Sequence, residues 1–438
     1  MKFSELQLPE SVQKGVVAAG FESLTPVQQE SIPLALNGKD VAAQAQTGTG
    51  KTAAFLISLF CRLLKSETGT GSNPRALVMA PTRELVVQIC ADAEILGQFT
   101  GLKVQPIFGG VDYEKQRQAL RDGVDIIVAT PGRLIDYYKQ HVFSLKQVEA
   151  LVIDEADRMF DMGFIKDLRY LLRKLPPFES RQTMLFSATL STQVMELAYE
   201  FMDLAERVEI APKQVAADNI DQILYHVGRH EKFALLLGLL KQDPDVERVM
   251  LFVNTKVEAE RLNALLQAND IASAVLSGDI PQKKRMRILD QFKLGSLTHL
   301  VATDVASRGI HVDNVTHVIN YDLPQDREDY VHRIGRTARA GASGRAISFA
   351  DEETVYVIEE IEDYLGFRIP STMPLDEDFC FDFKRAAPRR KKPLPSAGEK
   401  KATPRKRRPR RRSKKGKSGG GAGQAGGGAS GDSEKKES

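Results

Sequence analysis

Short apolar runs recur along the chain, separated by longer segments in which apolar residues return every three or four positions. The first series of runs comprises Val41–Ala43, Arg75–Ala80, Val104–Phe108, Val124–Ala129, Leu151–Ile153, Met184–Ser187 and Val208–Ile210. The second series comprises Ile223–Val227, Val249–Val253, Ala274–Leu276, Leu300–Ala302, Thr316–Ile319 and Ala346–Phe349. The runs predict strands, and segments between them, such as Glu84–Leu96 and Tyr113–Arg121, predict helices. This alternation predicts an α/β fold with parallel sheets and helices on both faces.

A polar stretch that contains Pro212 separates the two series of strands. We therefore predict two α/β domains. The predicted boundaries are an N-terminal segment at 1–39, a first domain at 40–210, a linker at 211–219, a second domain at 220–367 and a disordered tail at 368–438. An internal duplication of one α/β unit would explain why the two series are alike.

Composition narrows the class of protein. The 438 residues suffice for two or three domains. Cys61, Cys90 and Cys380 are odd in number and far apart, so we expect neither a disulfide framework nor a zinc site. Because no apolar run approaches the ~20 residues of a membrane span and no signal-peptide pattern begins the chain, we expect a cytoplasmic protein without a membrane partner.

The net charge of +3 hides a strong asymmetry. Between Lys384 and Lys417 there are 18 Lys or Arg residues and one acidic residue, so the remainder of the chain is acidic. The predicted tail is rich in Pro, Arg and Lys in this stretch and then rich in Gly from Ser418 to Gly431. It cannot bury enough apolar surface to fold alone. It is typical of a segment that captures nucleic acid electrostatically, although a solubilising or self-interacting tail would share its composition.

One stretch of small residues carries the first chemical signal. It lies between a predicted strand and a predicted helix and consists of Ala45, Gln46, Thr47, Gly48, Thr49, Gly50, Lys51 and Thr52. Such a loop turns its backbone N–H groups toward an anion, and the helix N-terminus adds a positive dipole end. Lys51 supplies a mobile charge for phosphates and Thr52 a hydroxyl for magnesium. The alternative is a glycine-rich turn that merely begins a helix.

A second signal follows the apolar run at 150–153. Asp154 lies directly after this buried strand, where nucleotide hydrolases hold their second magnesium ligand. Glu155 is placed to orient and deprotonate an attacking water. Asp154 would also suit a helix N-cap, but the upstream phosphate loop favours hydrolysis of a nucleoside triphosphate.

Two further patterns leave alternatives open. Gln28 carries an amide that can pair with two edge atoms of adenine, and Phe21 can stack on the base, but Thr25-Pro26 could simply start a helix. The basic segment His332–Arg339 places arginines at i and i+3, on one helical face. These arginines are either fingers that reach a triphosphate held by the first domain or part of a basic surface helix paired with neighbouring acids.

In its ordered motifs the chain resembles the DEAD-box ATP-dependent RNA helicases, from Phe3 to about Gly366. The motifs that carry the resemblance are Gly20–Gln28, Ala45–Thr52, Pro81–Leu85, Gly109-Gly110, Thr130–Arg133, Asp154–Asp157, Ser187–Thr189, Leu251–Thr255, Gln282–Arg285, Ala302–Gly309 and His332–Arg339. The family implies two tandem RecA-like domains. Ala338 departs from its pattern, because the last motif normally has Gly there.

The resemblance implies a role for each matched residue. ATP and Mg²⁺ are the implied cofactors. Catalysis is assigned to Glu155, Lys51, Asp154, Arg336 and Arg339. Nucleotide binding is assigned to Phe3 or Phe21, Gln28, the loop 45–52 and Asp304. Magnesium is assigned to Thr52 and Asp154, and coupling between nucleotide and cleft to Asp157, Ser187, Thr189 and His332.

The family also implies RNA as the partner, held through its backbone without regard to sequence. The implied contacts are Arg83, Gly110, Thr130, Arg133, Asn254, Gly278, Arg285 and Thr303. Features of the second half, including Ser277-Gly278-Asp279, resemble family members that work in bacterial RNA-degradation assemblies. A non-catalytic scaffold and a DNA-directed motor remain as other function classes.

Overall fold

The computed structural model describes residues 1–45, 48–66, 73–210, 220–307, 315–338 and 343–386. These residues lie in one compact unit, Met1–Ala387. No helix in these ranges is long and apolar enough to cross a membrane. The predicted linker at 211–219 lies outside the described residues.

The first sheet has seven parallel strands in the order β3-β4-β2-β5-β6-β1-β7. Their bounds are β1 Val41–Gln44, β2 Ala76–Met79, β3 Val104–Ile107, β4 Ile126–Ala129, β5 Ala150–Ile153, β6 Gln182–Ser187 and β7 Glu206–Glu209. β2, β4 and β5 are buried along their whole length. A parallel strand covered on both faces reads as a continuous apolar run, which is why the sequence marks these strands clearly.

Helices cover both faces of this sheet. Their bounds are Glu10–Ala18, Pro26–Leu36, Lys51–Lys65, Arg83–Gly97, Tyr113–Arg121, Pro131–Lys139, Ala156–Asp161, Ile165–Leu172 and Thr192–Phe201. Successive residues of one strand point to opposite faces, so Ala76 and Val78 join the core on one side while Leu77 and Met79 join the core on the other. The first domain thus has two separate apolar cores.

The second sheet also has seven parallel strands, in the order β10-β11-β9-β12-β13-β8-β14. Its strands are β8 Ile220–His226, β9 Val249–Phe252, β10 Ser273–Leu276, β11 His299–Ala302, β12 His317–Asn320, β13 Gly344–Ala350 and β14 Ser371–Thr372. Its helices are Lys232–Gln242, Lys256–Ala268, Gln282–Lys293, Asp304–Ser307, Arg327–Ile334 and Ile358–Leu365.

The two sheets share one topology. If each strand of the second sheet is matched to the strand seven places earlier in the chain, the two strand orders coincide. The structure therefore agrees with a duplicated α/β unit and confirms the predicted fold class of two parallel sheets covered by helices. It also gives every strand end in one domain a counterpart in the other.

The structure corrects the predicted start of the tail at residue 368. β14 pairs in parallel with β8, and Phe379 and Phe383 pack against the apolar core of the second sheet. This segment crosses the helix Lys232–Gln242 so closely that a Cβ at Gly238 would lie 1.8 Å from the carbonyl oxygen of Asp378. Residues 368–384 therefore belong to the second domain, because they complete its core.

Candidate functional site

The phosphate loop joins β1 to the helix that begins at Lys51. Gly48 and Gly50 have φ of 83° and 89°, a left-handed backbone that glycine adopts without steric cost. The Ala45 N–H donates to the Ser187 carbonyl, which ties the start of the loop to β6. Gln46 and Thr47 lie outside the described residues. The described part of the loop thus has the backbone form that an anion-binding turn needs.

Lys51 and Asp154 form a buried charged pair at the carboxyl ends of β1 and β5. The Lys51 Nζ lies 3.8 Å from Asp154 Oδ1, and among the described residues it has no hydrogen-bond acceptor. Burial raises the pKa of Asp154 to about 6, and the Lys51 charge opposes that rise. The Lys51 ammonium, which has no acceptor in the described part of the chain, can bind an anion. The Asp154 carboxylate, whose charge burial destabilises, can bind a cation beside that anion.

Glu155 is held in an unusual backbone conformation. Its φ is 51°, and its N–H donates to Asp154 Oδ1 at 2.9 Å. The following helix begins at Ala156 with Glu155 as its N-cap residue, so Asp154 does not cap that helix. Left-handed geometry at a non-glycine residue is typical of functional sites, where the surrounding structure sustains the strain.

A cavity of about 490 Å³ joins these groups. Its lining includes Ala18, Ala19, Phe21, Gly48, Gly50, Lys51, Thr52, Asp154 and Glu155. Gln88 and Asp92, one turn apart on the helix Arg83–Gly97, also line it, and burial raises the pKa of Asp92 to about 6. Sequence reasoning missed these two residues, because nothing distinguishes them from other polar positions on a helix.

The structure separates the two aromatic candidates. Phe3 and Phe21 stack with ring centroids 6.0 Å apart. Phe21 is 39% exposed and lines the cavity, whereas Phe3 is 3% exposed. Phe21 is therefore the ring that a base can reach, and Phe3 supports it from behind.

Gln28 connects the N-terminal segment to the phosphate loop. Its Oε1 accepts the Thr25 N–H at 2.9 Å, and its Nε2 donates to the Gly50 carbonyl at 3.0 Å. Thr25-Pro26 does begin a helix, with Pro26 at the first position and a capping box between Thr25 and Gln28. The prediction that Thr25-Pro26 starts a helix is therefore correct. The two hydrogen bonds of Gln28 leave one amide hydrogen and one oxygen lone pair of its side chain for a ligand.

Three of the four coupling candidates form one cluster. Asp157 Oδ2 accepts the N–H groups of Ala188 and Thr189 at 3.1 Å and 3.2 Å. The Asp157 N–H donates to Ser187 Oγ at 3.1 Å. The segment after β5 is therefore fastened to the end of β6, next to the phosphate loop.

The fourth coupling candidate, His332, lies on the second-domain helix Arg327–Ile334. That helix meets the first domain through an ion pair between Arg158 Nη1 and Asp329 Oδ1 at 2.9 Å. His332 Nδ1 lies 4.0 Å from the same carboxylate. Sequence reasoning missed Arg158, because its partner is 171 residues away in the chain.

Arg333, which the sequence marked only as part of a basic cluster, is 1% exposed. Its Nε and Nη2 donate to the two carboxylate oxygens of Asp304, each at 2.6 Å, and Nη2 also donates to Asn254 Oδ1 at 3.0 Å. The alternative of a surface helix paired with neighbouring acids is therefore wrong for Arg333, whose partners come from other strand ends.

Arg336, beyond the end of this helix, donates from Nε to the His332 carbonyl at 3.1 Å. Arg339 lies outside the described residues. Ala338 has a φ of 52°, a left-handed conformation that costs an L-residue roughly 1–2 kcal/mol. The glycine that the family normally has here would adopt it freely, so this departure adds strain next to Arg339.

The RNA candidates follow equivalent strands in the two domains. Arg83 follows β2, Gly110 follows β3, and Thr130 and Arg133 follow β4, while Asn254, Gly278 and Thr303 follow β9, β10 and β11. Arg83, Thr130, Arg133, Gly278 and Arg285 line one cavity of about 500 Å³ together with Gly109 and Gln282. The structure thus gathers candidates from both domains on one surface.

Two of these arginines already have partners. Arg133 lies over the Tyr113 ring, 5.0 Å from its centroid. Arg285 is 8% exposed, and its Nε lies 2.6 Å from Oε1 of Glu84, which also accepts from Gln282 Nε2 at 2.9 Å. Glu84 belongs to the first domain, so Arg285 joins the two domains in addition to lining this cavity.

Comparison with known proteins gives an independent result. Residues 25–197 match the family described as DEAD/DEAH box helicase, and residues 231–341 match the helicase conserved C-terminal domain. A curated protein of Idiomarina loihiensis, "ATP-dependent RNA helicase RhlB", is 51% identical over 409 residues, which cover 93% of this chain and 96% of the relative. Its namesake in Haemophilus influenzae is 52% identical over 371 residues, 84% of this chain and 89% of the relative.

Two solved structures are also similar to this chain over most of its length. Dbp5 of S. cerevisiae bound to RNA and ADP BeF3 has a TM-score of 0.75 and 31% identity, over 85% of this chain and 95% of that one. Mss116p bound to single-stranded RNA and AMP-PNP has a TM-score of 0.76 and 31% identity, over 86% of this chain and 80% of that one. Both likenesses span both sheets.

Proposed function

We propose a mechanism from the premise that this chain belongs to the DEAD-box family of ATP-dependent RNA helicases, which its relatives at about 50% identity show. The protein uses ATP to remodel RNA. In this mechanism, the residues around the cavity and the cleft bind and hydrolyse ATP, and the surface shared by the two domains holds RNA.

The nucleotide lies in the cavity between Phe21 and Asp154. Its base stacks on Phe21 and meets the remaining donor and acceptor of Gln28. Its phosphates meet the N–H groups of the loop 48–52 and the Lys51 ammonium, which has no other acceptor among the described residues. Asp304 contacts the ribose through lone pairs that its bidentate pairing with Arg333 leaves free.

Mg²⁺ fits the donors at the phosphate end of this cavity. Asp154 and Thr52 offer a carboxylate and a hydroxyl, the hard oxygen ligands that this ion takes alongside nucleotide phosphates. Burial disfavours the charged form of Asp154, so a cation beside it would restore that charge. When bound, the ion neutralises charge that develops on the phosphates.

Hydrolysis uses groups from both domains. Glu155 accepts a proton from the attacking water as general base, and its fixed backbone orients the carboxylate. Arg336, with Arg339, brings positive charge to the transferring phosphoryl group from the second domain. Neither domain alone carries the full set, so turnover requires a closed cleft.

One observation carries this proposal: the Arg158–Asp329 ion pair across the cleft. It joins the segment that holds Asp154 and Glu155 to the helix that leads to Arg336, and both partners are mostly buried. A change at the phosphates can therefore reach the second domain through Asp157, Arg158 and Asp329. ATP closes this clamp on RNA, and hydrolysis reopens it.

RNA lies across the surface formed by the ends of β2, β3 and β4 and of β9, β10 and β11. The candidates there are backbone amides at glycines, hydroxyls and arginines, which suit phosphates and 2′-hydroxyls and do not read bases. Closing both domains on one strand in a bent form would expel its complement.

Polyribonucleotide is expected to raise the turnover number for ATP several-fold or more, and a DNA of the same sequence to raise it far less. The 2′-hydroxyl supplies the difference. Steady-state ATPase assays with single-stranded RNA, single-stranded DNA and no polymer measure this effect. Equal rates in all three would contradict the proposed coupling, and equal rates with RNA and DNA would favour a DNA-directed motor.

RNA turnover is the setting we propose, with a place in an RNA-degradation assembly. The support is the identity of about 50% to curated proteins that carry the name RhlB. A non-catalytic scaffold is the weaker alternative, since the chain has Lys51, Asp154, Glu155, Arg336 and Arg339 all intact.

Removing the tail is expected to weaken RNA affinity and flatten its salt dependence. Each Lys or Arg that neutralises a phosphate contributes about 0.7 to the slope of log K against log salt on a single strand. The deletion should begin at residue 387, because Lys384 is bonded to Asn269 and Asp270 on the folded domain. RNA binding by the full chain and the truncated chain at several salt concentrations measures the slope. An unchanged slope would assign the tail a solubilising role instead.

A further inference from the structure

The matched topology of the two sheets gives Lys51 a counterpart in the second domain. Lys51 is the first residue of the helix after β1, and Lys232 is the first residue of the helix after β8. Asp154 directly follows β5, and Asp322 lies two residues beyond the end of β12, the matching strand. The second domain thus has a lysine and an aspartate at the places where the first domain has the charged pair Lys51 and Asp154.

The two lysines differ in what surrounds them. The Lys232 Nζ lies 3.0 Å from Asp322 Oδ1 and 2.6 Å from Asp351 Oδ2, and it lies 5.5 Å from the centre of the Tyr321 ring. Lys232 is 1% exposed. Two carboxylates and an aromatic face neutralise this ammonium, so it has no capacity left for a phosphate, whereas the Lys51 ammonium has Asp154 at the longer distance of 3.8 Å.

Asp322 connects Lys232 to Asn254, the candidate RNA contact. Its Oδ2 accepts the backbone N–H of Asn254 at 3.1 Å. The side chain of Asn254 in turn donates to the Leu323 carbonyl at 2.8 Å. Asn254, which follows β9 on the proposed RNA surface, is therefore held at both its backbone and its side chain by the loop that Lys232 anchors.

The loop that contains Asp322 also holds Arg333, the buried arginine that pairs with the proposed ribose contact Asp304. The Asp322 carbonyl accepts from Arg333 Nη1 at 2.6 Å, and Asn254 Oδ1 accepts from Arg333 Nη2 at 3.0 Å. Arg333 then pairs with both oxygens of Asp304. A continuous chain of contacts thus runs from Lys232 through Asp322 and Arg333 to the proposed ribose contact.

We propose that Lys232 is a positioning residue for the helicase reaction. It stands where the first domain keeps its phosphate-binding lysine, and it uses its charge to fix the loop that aligns Asn254 for RNA and Arg333 with Asp304 for the nucleotide. Without it, the carboxylates of Asp322 and Asp351 would lie close together with no ammonium between them, and their repulsion would shift the loop. This inference rests on the roles proposed above for Asn254 and Asp304.

The test compares variants of the full-length chain. Lys232→Met is expected to raise the RNA concentration for half-maximal ATPase stimulation at least tenfold and to lower kcat, while the KM for ATP changes less than threefold, because the first domain holds most of the nucleotide. Asp351→Asn removes the other carboxylate from the same ammonium but touches neither Asn254 nor Arg333. It is expected to lower the melting temperature but to leave kcat and the RNA concentration for half-maximal ATPase stimulation within twofold of the parent values.

An isosteric pair keeps the test decisive if Lys232→Met does not fold. Asp322→Asn is expected to weaken RNA stimulation at least threefold more than Asp351→Asn at matched loss of melting temperature. Equal effects of the two Asn variants, or a Lys232→Met protein with normal RNA stimulation, would overturn the positioning role. If the parent protein itself shows no RNA stimulation, the proposed function fails instead, so the two failures are distinguishable.

Discussion

Glu155→Gln is expected to lower the turnover number of RNA-stimulated ATP hydrolysis by about 10²–10⁴, the usual contribution of a general base. The amide keeps the size of the side chain and its place beside Asp154, but it cannot take a proton from water. ATP and RNA binding should persist, because neither the loop 48–52 nor the RNA surface changes. Single-turnover hydrolysis and RNA binding in the presence of ATP measure the two effects.

Glu94→Gln is the matched control for this variant. Glu94 is exposed on the helix Arg83–Gly97, so the same chemical change there should leave turnover within about twofold. The expected signature of Glu155→Gln is a closed complex that holds RNA longer than the parent does when ATP is present. Turnover within a few-fold of the parent would refute the general-base role.

Arg336→Ala is expected to reduce the turnover number by about 10³ or more, within the range that arginine fingers contribute. The positive charge acts on the transition state, so the KM for ATP should change much less than kcat. Arg336→Lys should recover part of the loss, since it keeps the charge but not the planar fork. Steady-state kinetics of both variants at saturating RNA measure the split.

Stability needs its own control here, because Arg336 Nε donates to the His332 carbonyl. Arg261→Ala removes an exposed arginine from the same domain, where it pairs with Glu258 on the helix surface. Activities compared well below both melting temperatures separate catalysis from folding. A loss of kcat no greater than that of Arg261→Ala would exclude a finger role for Arg336.

Local signals in the sequence were strong where secondary structure and chemistry coincide. All thirteen predicted apolar runs overlap a strand, and Thr25-Pro26 does begin a helix, Pro26–Leu36. β14, Ser371–Thr372, was missed because two polar residues carry no apolar periodicity. Phe379 and Phe383 lie in a short stretch with Pro374 and four acidic residues, which has neither strand nor helix periodicity, and the boundary of the tail was therefore placed too early.

The sequence by itself determined thirteen of the fourteen strands that the structure describes, many of the helices between them, the phosphate loop and the acidic pair after β5. Each of these depends on the conformation and polarity of neighbouring residues. Only the tertiary structure decided that Phe21 faces the cavity with Phe3 behind it, that Arg158 meets Asp329, and that Arg333 is buried among Asp304 and Asn254. These contacts join residues far apart in the chain. The order of strands in a sheet sets which distant strand ends meet, and no local pattern of side chains records that order.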